Sequence, residues 1–472
     1  MFDDLKLLIG GELVDGDATM DVIDPAAGKP FMSVPRGSVR QAEQAIAAAK
    51  AAQPGWAALP IDERRKCLVA LADAIHENAD ALTRMLVREQ GKPLAEATGE
   101  IAFTEIFVRH FAAMDVPVEV LQDDETRRVE LHRKPLGVVC AIMPWNFPVL
   151  LAAFKFPAAL LLGNSFILKP APTTPVTSLM LGHLAKDIFP AGVFNVVTDL
   201  NDLGPTFTDH PDVDKISFTG SGATGKKVVA AAASTLKRVS LELGGNDASI
   251  VLDDVDVANV APKIFSKAFM NAGQVCIAVK RVYAHSSIYD ALCDELAKLA
   301  NEAIVGDGLQ QGTQIGPVQN AAQFEKAKTF LESARREGRI IAGGDVKEGE
   351  GYFIRPTIVR DIEDGAKLVD EEQFAPILPV IKFDDVEDAV RRTNSSDLGL
   401  GGSVWSADRD RAYDIARRIE SGMVWVNEHL DFGPHIPFGG AKQSGIGMEL
   451  GTDGMLEFSQ TAVINMSKEP VA

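Results

Sequence analysis

Cysteine is scarce in this chain, with four among 472 residues, and their spacing matches no metal site. A chain this long with so few cysteines is neither a disulfide scaffold nor a zinc-finger protein. The sequence also lacks an apolar run of membrane-spanning length, and residues 1–4 are acidic where a secretory signal would be basic. We therefore expect a protein of the reducing cytoplasm, with no metal ion and no membrane partner.

Positive charge is also in short supply, since 47 Lys and Arg stand against 66 Asp and Glu, giving a formal net charge of -19. Such a surface disfavours nucleic acids and anionic membranes as partners. The chain shows no internal repeat and no low-complexity tract. Its 46% hydrophobic and 24% charged residues are ordinary for a globular protein, so function must be sought in local motifs.

Helical and strand patterns alternate along most of the chain. Helices are predicted at 38–53, 61–79, 80–97, 148–162, 175–188 and 223–234, with strands at 137–142, 165–169, 193–198, 215–218 and 238–242. A second series predicts strands at 248–252, 282–284, 340–342, 377–383, 402–405 and 422–427, and helices at 257–271, 287–304, 320–337, 384–393 and 408–419. This alternation predicts two α/β domains built on parallel sheets.

One segment interrupts the alternation. In residues 116–133 two segments of alternating polarity flank the acidic run 123–125, which predicts a long β-hairpin leaving the sheet. The hairpin and a C-terminal strand at 461–466 would present strand edges that are usually paired. We therefore expect them to form an oligomer contact.

Cys276 lies in the segment NAGQVCI at 271–277, among small and amide residues. The other three cysteines have structural interpretations, because Cys67 and Cys293 fall on amphipathic helical patterns and Cys140 in an apolar strand. A single reachable thiol is a candidate nucleophile only if catalytic partners converge on it. Taken alone, Cys276 is as readily structural as catalytic.

A glycine-rich turn follows the strand predicted at 215–218. Residues 220–225 fit the pattern GxGxxG and open a helix, where free backbone N–H groups can hold a pyrophosphate. A turn that only reverses the chain is the alternative. Glu242, which ends the next strand, then has two possible roles: a ribose ligand, as in a conventional dinucleotide fold, or a general base in an apolar setting that disfavours its charge.

Two further strand ends carry candidate polar groups. Asn146 lies in a turn after residues 137–142, where its amide could donate to an oxyanion, although Asn in a turn is often only turn chemistry. Lys169 ends the strand 165–169 before Pro170 and is either a solvated strand end or a cofactor ligand.

Together these segments resemble the aldehyde dehydrogenase superfamily over about residues 10–463. The shared motifs are PWNFP at 144–148, KP at 169–170, FTGS at 218–221, LELGG at 241–245, GQVC at 273–276, EEQF at 371–374 and PFGG at 437–440. The resemblance implies a NAD-binding domain of residues 1–113 and 134–244, a catalytic domain of residues 245–444, and an oligomerisation element of residues 114–133 and 445–472. It further implies a homodimer or homotetramer.

The resemblance also assigns the catalytic residues. It makes Cys276 the nucleophile, Glu242 the base, and Asn146 with the Cys276 backbone N–H the oxyanion hole, with Lys169 also at the site. Cofactor contacts are implied for Pro144, Trp145, Lys169, Gly220, Ser221, Gly225, Leu243, Glu372 and Phe374. The implied reaction is oxidation of an aldehyde to an acid through a thiohemiacetal and a hydrolysed thioester, with Glu449 either relaying protons or capping a helix.

Two positions depart from the family pattern. The family often has a glutamate three residues after the lysine, where it binds adenosine ribose hydroxyls, but this chain has Pro172. Pro172 offers neither an acceptor nor a charge, so we expect NAD to be preferred over NADP only modestly. The second departure is Ala375, where relatives have a less restricted glycine.

The resemblance places apolar and aromatic residues around the aldehyde, namely Phe147, Leu151, Phe154, Val275, Ile277, Phe432 and Phe438. Residues 430–438 contain no Arg or Lys to pair with a carboxylate tail. We therefore expect an aromatic or medium-chain aliphatic aldehyde, unless these side chains are core. Two other functional classes stay open: a structural protein without turnover, and a thiol esterase that needs no cofactor.

Overall fold

The computed structural model describes residues 2, 4–346 and 349–470. Residues 1, 3, 347, 348, 471 and 472, which belong to the predicted domains, lie outside the described residues. A first sheet contains eight strands among the described residues. Its order is Glu12–Val14, Leu7–Ile9, Phe194–Val196, Ser165–Lys169, Val138–Ile142, Lys215–Thr219, Arg238–Glu242 and Gly445–Ile446. The five strands from Phe194–Val196 to Arg238–Glu242 are parallel, as predicted, and the outer ones are antiparallel.

Helices pack on this sheet and beside it. They span Val39–Ala58, Ile61–Glu77, Ala79–Gln90, Leu94–Ala113, Leu150–Ala153, Phe156–Leu161, Val176–Ala185, Gly204–Asp209, Gly222–Ala232 and Gly451–Leu456. The helix predicted at 148–162 is divided, because Pro157 has no N–H for the carbonyl one turn earlier and its ring crowds that turn. The helix predicted at 80–97 ends at Gln90, because Gly91 is left-handed (φ 96) and Pro93 follows.

A second sheet has seven strands in the described part of the chain. Their order is Arg339–Ala342, Thr357–Arg360, Ile377–Phe383, Arg281–His285, Ala248–Val251, Gly401–Trp405 and Met423–Val426. All neighbours are parallel except the first pair. The helices around it are Val257–Phe269, Tyr289–Glu302, Ala321–Glu337, Lys367–Asp370, Val386–Asn394 and Arg409–Ala416. This confirms the predicted α/β class with two parallel sheets.

A three-stranded sheet projects from these layers. It consists of Glu119–Asp123, Arg127–Pro135 and Ser459–Ser467, in the order that puts Arg127–Pro135 in the middle. Smaller pairs join Ala18–Asp24 to Lys29–Arg36 and Leu398–Gly399 to Ala441–Lys442. The division of the chain at residue 244 stays a prediction, and one strand of the predicted oligomerisation element, Gly445–Ile446, joins the first sheet. No helix among the described residues is long and apolar enough to cross a bilayer.

The projecting sheet exposes apolar side chains that a monomer would leave in water. They are Val118, Val120, Leu121, Val463, Ile464 and Met466, each about half exposed. We expect light scattering at micromolar concentration to give a homodimer or homotetramer, because several large apolar side chains exposed on one small sheet are typical of protein interfaces. Val463→Asp should shift the mass to a smaller species, whereas Leu236→Asp, at an exposed leucine outside this sheet, should not. A monomeric wild-type protein would contradict the prediction.

Candidate active site

Cys276 lies in a loop between the helix Val257–Phe269 and the strand Arg281–His285 of the second sheet. Three consecutive residues before it, Asn271, Ala272 and Gly273, have φ angles of 49, 54 and 72°. The first two are uncommon conformations for residues with a side chain, and such conformations persist only where the surroundings hold them. At Gly273 a side chain is excluded, because a Cβ would lie 2.5 Å from the Ala375 carbonyl oxygen.

Buried hydrogen bonds hold the chain before the cysteine. The Asn271 backbone N–H donates to the Glu96 carboxylate at 2.9 Å, and the Gln274 amide donates to the Asn271 carbonyl at 2.7 Å. The Gln274 Oε1 in turn accepts from the Gln319 backbone N–H at 2.8 Å. One of these bonds is internal to the loop and the other two hold it from Glu96 and Gln319, so the conformation before the thiol is set by the fold.

Two buried side chains hold the chain after the cysteine. The Lys280 ammonium donates to the Cys276 carbonyl at 2.7 Å, and the His429 Nε2 lies 2.9 Å from the Ile277 carbonyl. Burial lowers the pKa of His429 to about 3, so the ring is neutral and donates from Nε2 to the carbonyl. Neither residue was predicted from the sequence: Lys280 lies only four positions from Cys276 but outside the recognised motif, and His429 lies 152 positions from Ile277.

Glu242 ends the strand Arg238–Glu242 of the first sheet, and its carboxyl lies beside the Cys276 thiol. Neither carboxyl oxygen receives a hydrogen bond of normal geometry from the described residues, although both are buried. Burial, followed by the nearby charge of Glu449, raises the pKa of Glu242 to about 8. Burial, followed by the Glu242 charge, also raises the pKa of the Cys276 thiol well above its usual value. At neutral pH both groups are therefore protonated at rest.

Asn146 approaches the cysteine loop from the first sheet. Its amide nitrogen donates one hydrogen bond to the Gln274 carbonyl at 3.0 Å, which leaves a second N–H for another acceptor. Its backbone carbonyl accepts from the buried Lys92 ammonium at 2.9 Å, and Lys92 also pairs with Glu100. Lys92 and Glu100 were not predicted from the sequence, because Lys92 is 54 positions from Asn146 and no local pattern links these two residues.

Glu449 forms a buried ion pair with Lys155. It does not cap the helix Gly451–Leu456. The cap position of that helix is Leu450, and no side chain makes a capping hydrogen bond there. The second carboxyl oxygen of Glu449 has no hydrogen-bond partner among the described residues. Because its charge contributes to the raised pKa of Glu242, Glu449 belongs to the electrostatic surroundings of Glu242.

A cavity of about 490 Å³ opens onto the Cys276 thiol. All seven residues predicted to surround the aldehyde line it: Phe147, Leu151, Phe154, Val275, Ile277, Phe432 and Phe438. Most are also continuous with the apolar core of the first sheet. The wall also includes residues that were not predicted to line it, among them Phe103, Leu150, Met270 and Leu430. Lys267 also lines the cavity, although residues 430–438 contain no basic residue, and it lies 3.4 Å from Glu428.

The glycine-rich turn lies on the first sheet, away from the cavity. Ser221 caps the helix Gly222–Ala232 by accepting from the Thr224 N–H at 3.3 Å, and the turn is partly exposed. Gly225 allows close packing on Leu243, because a Cβ there would lie 2.7 Å from a Leu243 methyl group. An accessible helix N-terminus and close helix–strand packing fit a dinucleotide pyrophosphate.

The remaining predicted cofactor residues form two groups. Near the cysteine, the Trp145 and Phe374 rings meet edge to face at 5.4 Å, beside Pro144, and Glu372 accepts from the Gly245 N–H at 3.1 Å and lies 3.3 Å from Lys280. Lys169 lies elsewhere, where it pairs with Asp199. The departure at 375 needs no glycine, because the left-handed residue of this segment is Phe374 (φ 50).

Two parallel sheets, with a glycine-rich turn on one and a cysteine loop at an apolar cavity on the other, form an architecture of the α/β oxidoreductase type. The chain belongs to the aldehyde dehydrogenase family, whose model matches residues 13–464. As a member of this family it is an NAD(P)-dependent oxidoreductase acting on aldehydes.

Similar proteins extend over nearly the whole chain. It is 36% identical to the phenylacetaldehyde dehydrogenase of Pseudomonas fluorescens, with 97% of this chain and 94% of that protein covered. It is also 36% identical to the NADP-dependent succinate-semialdehyde dehydrogenase of Escherichia coli (strain K12), with 94% of each covered. An NAD+ complex of an aldehyde dehydrogenase from Bacillus cereus superposes with a TM-score of 0.97 at 32% identity, covering 99% of this chain and 97% of that one.

Proposed function

We propose that this protein oxidises an aromatic or medium-chain aliphatic aldehyde to its carboxylic acid through a covalent intermediate on Cys276. The observation that carries the proposal is the meeting of three features at one place. The Cys276 thiol faces an apolar cavity, the Glu242 carboxyl lies beside it with both oxygens unpartnered, and the Asn146 amide lies against the same loop. These are a nucleophile, a base and an oxyanion donor.

In the first step the thiol loses its proton and the sulfur attacks the aldehyde carbon. Glu242, in the fraction of molecules in which its carboxyl is ionised, is the adjacent acceptor for that proton, and the Lys280 charge favours the thiolate. The carbonyl oxygen becomes an oxyanion, which Asn146 and the Cys276 backbone N–H stabilise. Since the loop is held by Glu96, Gln319 and His429 partners, these donors need no rearrangement when charge develops.

Residues on the first sheet, together with the segment before the strand Ile377–Phe383 of the second sheet, fit a nicotinamide dinucleotide. Gly220, Ser221 and the helix N-terminus would hold its pyrophosphate, and Glu372 with Phe374 would hold the nicotinamide ribose. When bound, the nicotinamide supplies the hydride acceptor. Glu372 is preset for this role by the Gly245 N–H and by Lys280, which also donates to the Cys276 carbonyl.

Before the last step the Cys276 proton leaves Glu242 for solvent. Glu242 then takes a proton from water, whose oxygen attacks the thioester carbon, and the departing sulfur recovers a proton as the acid is released. The buried ion pair of Lys155 and Glu449 offers a route by which Glu242 returns its proton, because Glu449 has one unpartnered oxygen and acts electrostatically on Glu242. Hydrolysis rather than acyl transfer to another carrier follows from the presence of Glu242 as a base.

The substrate class is proposed from the cavity, because two relatives that are equally similar to this chain are named for different aldehydes. Five phenylalanines face it (Phe103, Phe147, Phe154, Phe432 and Phe438), which favours an aromatic ring or an alkyl chain. Lys267 is the basic residue that could bind a carboxylate tail, but Glu428 lies 3.4 Å from its ammonium. That neighbour reduces its attraction for a second carboxylate.

An aldehyde panel with both cofactors, followed by nicotinamide absorbance, tests this proposal. Phenylacetaldehyde and hexanal should show kcat/KM values more than tenfold above that of succinate semialdehyde, since each buried methylene contributes about 0.8 kcal/mol. Lys267→Met should leave the apolar substrates unaffected. A preference for succinate semialdehyde that disappears in Lys267→Met would contradict the apolar assignment. Ester hydrolysis without any aldehyde-dependent reduction would instead indicate a thiol esterase.

A further inference from the structure

A buried ion pair occupies the carboxyl ends of two neighbouring parallel strands in the first sheet. Lys169 ends the strand Ser165–Lys169, and Asp199 follows the strand Phe194–Val196. The Lys169 Nζ lies 2.6 Å from the Asp199 Oδ1, and the two side chains are 2% and 0% exposed. Burying two charges is costly unless their remaining hydrogen-bonding positions are also satisfied.

Those positions are incompletely satisfied. The Asp199 Oδ2 accepts from the Leu203 backbone N–H at 2.9 Å, but Oδ1 has no hydrogen bond of normal geometry to the described residues. Besides its ion pair with Asp199, the Lys169 ammonium, with three N–H donors, makes only long bonds to the Pro170 carbonyl at 3.4 Å and the Asn201 Oδ1 at 3.5 Å. The pair therefore retains both acceptor and donor capacity for a hydroxyl-bearing ligand.

The strand order shows which part of a ligand would reach this pair. The chain moves to one side through Val138–Ile142, Ser165–Lys169 and Phe194–Val196, and then to the other side with Lys215–Thr219. Dinucleotides bind outside the carboxyl ends of strands at such a reversal, and an acid near the end of the adjacent strand accepts the adenosine ribose hydroxyls. Here that strand ends in Lys169 and is followed by Pro172, so its own segment supplies no acid.

We propose that Asp199, held by Lys169, accepts the adenosine ribose hydroxyls and makes this protein selective for NAD over NADP. The inference rests on the proposed function, because it assumes that the turn at 220–225 binds a dinucleotide. Asp199 would repel a 2'-phosphate directly, and it neutralises Lys169, which could otherwise attract that phosphate. The preference for NAD proposed here is stronger than the modest one expected from Pro172.

Another basic side chain near this loop does not favour NADP. Arg36 is a basic residue that contacts this loop, but it donates to Asp202 at 2.7 Å and is therefore already paired. It belongs to the strand Lys29–Arg36, which is tied to the loop by the Gly37 N–H and the Thr198 carbonyl at 2.8 Å. A 2'-phosphate would have to compete with Asp202 for Arg36 while facing Asp199.

The test compares dissociation constants for NAD and NADP, measured by calorimetry, in the wild-type protein and two variants. Wild type should bind NAD at least a hundredfold more tightly than NADP. Asp199→Asn should reduce that ratio at least tenfold, because it removes the charge but keeps the shape. Asp209→Asn, at an exposed acid on the helix Gly204–Asp209, makes the same change in net charge and should leave the ratio unchanged.

The outcomes separate the inference from the function on which it rests. Equal wild-type affinities for NAD and NADP would overturn the role of Asp199 without any variant, even if aldehyde oxidation is observed. An unchanged ratio in an Asp199→Asn protein of normal melting temperature would do the same. If that variant does not fold, wild-type affinity for 2'-deoxyadenosine NAD decides, since an affinity equal to that for NAD would remove the proposed contact. Absence of binding by either cofactor would remove the proposed function itself.

Discussion

Cys276→Ala is expected to lower aldehyde-dependent cofactor reduction by about four orders of magnitude or more, to the level of an enzyme without its nucleophile. The reason is that hydride transfer requires the tetrahedral carbon formed by sulfur attack, and no other described cysteine lines the cavity. Steady-state rates with the best aldehyde of the panel measure the loss. Affinity for NAD should be retained, because the substitution removes only the sulfur.

Cys67→Ala is the matched control. Cys67 is half-buried on the helix Ile61–Glu77, away from the cavity, so its substitution removes a thiol without touching the proposed chemistry. It should keep wild-type turnover. Substantial residual turnover in Cys276→Ala, in a protein with an unchanged melting temperature, would end the covalent proposal.

The resting thiol also has a testable property. Burial and the neighbouring Glu242 raise the pKa of Cys276 well above its usual range, while the charge of Lys280 acts in the opposite direction. The cofactor-free thiol should therefore be alkylated slowly at neutral pH and faster as the pH rises. This behaviour fits a nucleophile that is activated by an adjacent base rather than held permanently as a thiolate.

The sequence predicted best those elements whose signal is local. The strands Ser165–Lys169 and Ile377–Phe383 agree with the predicted bounds, since each is a short and mainly apolar run. Arg238–Glu242 also agrees, because glycines follow it closely at 244 and 245. The helix Leu94–Ala113 was missed over much of its length, because it exposes Phe103 and Ile106 and so blurs the usual polar face. The early strands, such as Leu7–Ile9, are too short to give a pattern.

The site divides in the same way. Cys276, Glu242 and Asn146 could be found because each lies in a short motif at a strand or helix end. Lys92 and Lys155 could not, because each is defined by a partner far along the chain, 54 and 294 positions away respectively. Charged residues that are fully buried by tertiary contacts look like ordinary helix surface in a sequence. Residues of this kind set the charge and geometry around a nucleophile, so they are the part that needs a structure.

Glu242→Gln separates the two halves of the proposed reaction. Attack and hydride transfer need the thiol and the oxyanion donors, whereas release of the acid needs a base for water. The variant should therefore reduce about one cofactor per active site in a burst, and then turn over on the order of 10² to 10⁴-fold more slowly than wild type. Stopped-flow absorbance measures the burst, and mass spectrometry should find the acyl group on Cys276.

The pH dependence gives an independent check on the same residue. The pKa of Glu242 is raised to about 8, so below that pH the carboxyl holds a proton and cannot take one from water. Wild-type turnover should therefore rise with pH up to about 8, and Glu242→Gln should lose this limb from its slow steady state. If the thiol also passes its proton to Glu242, the burst will itself be slower, and raising the pH should restore it. Absence of a burst even in alkaline solution, in a folded protein that binds NAD, would show that Glu242 is not the base that separates acylation from hydrolysis.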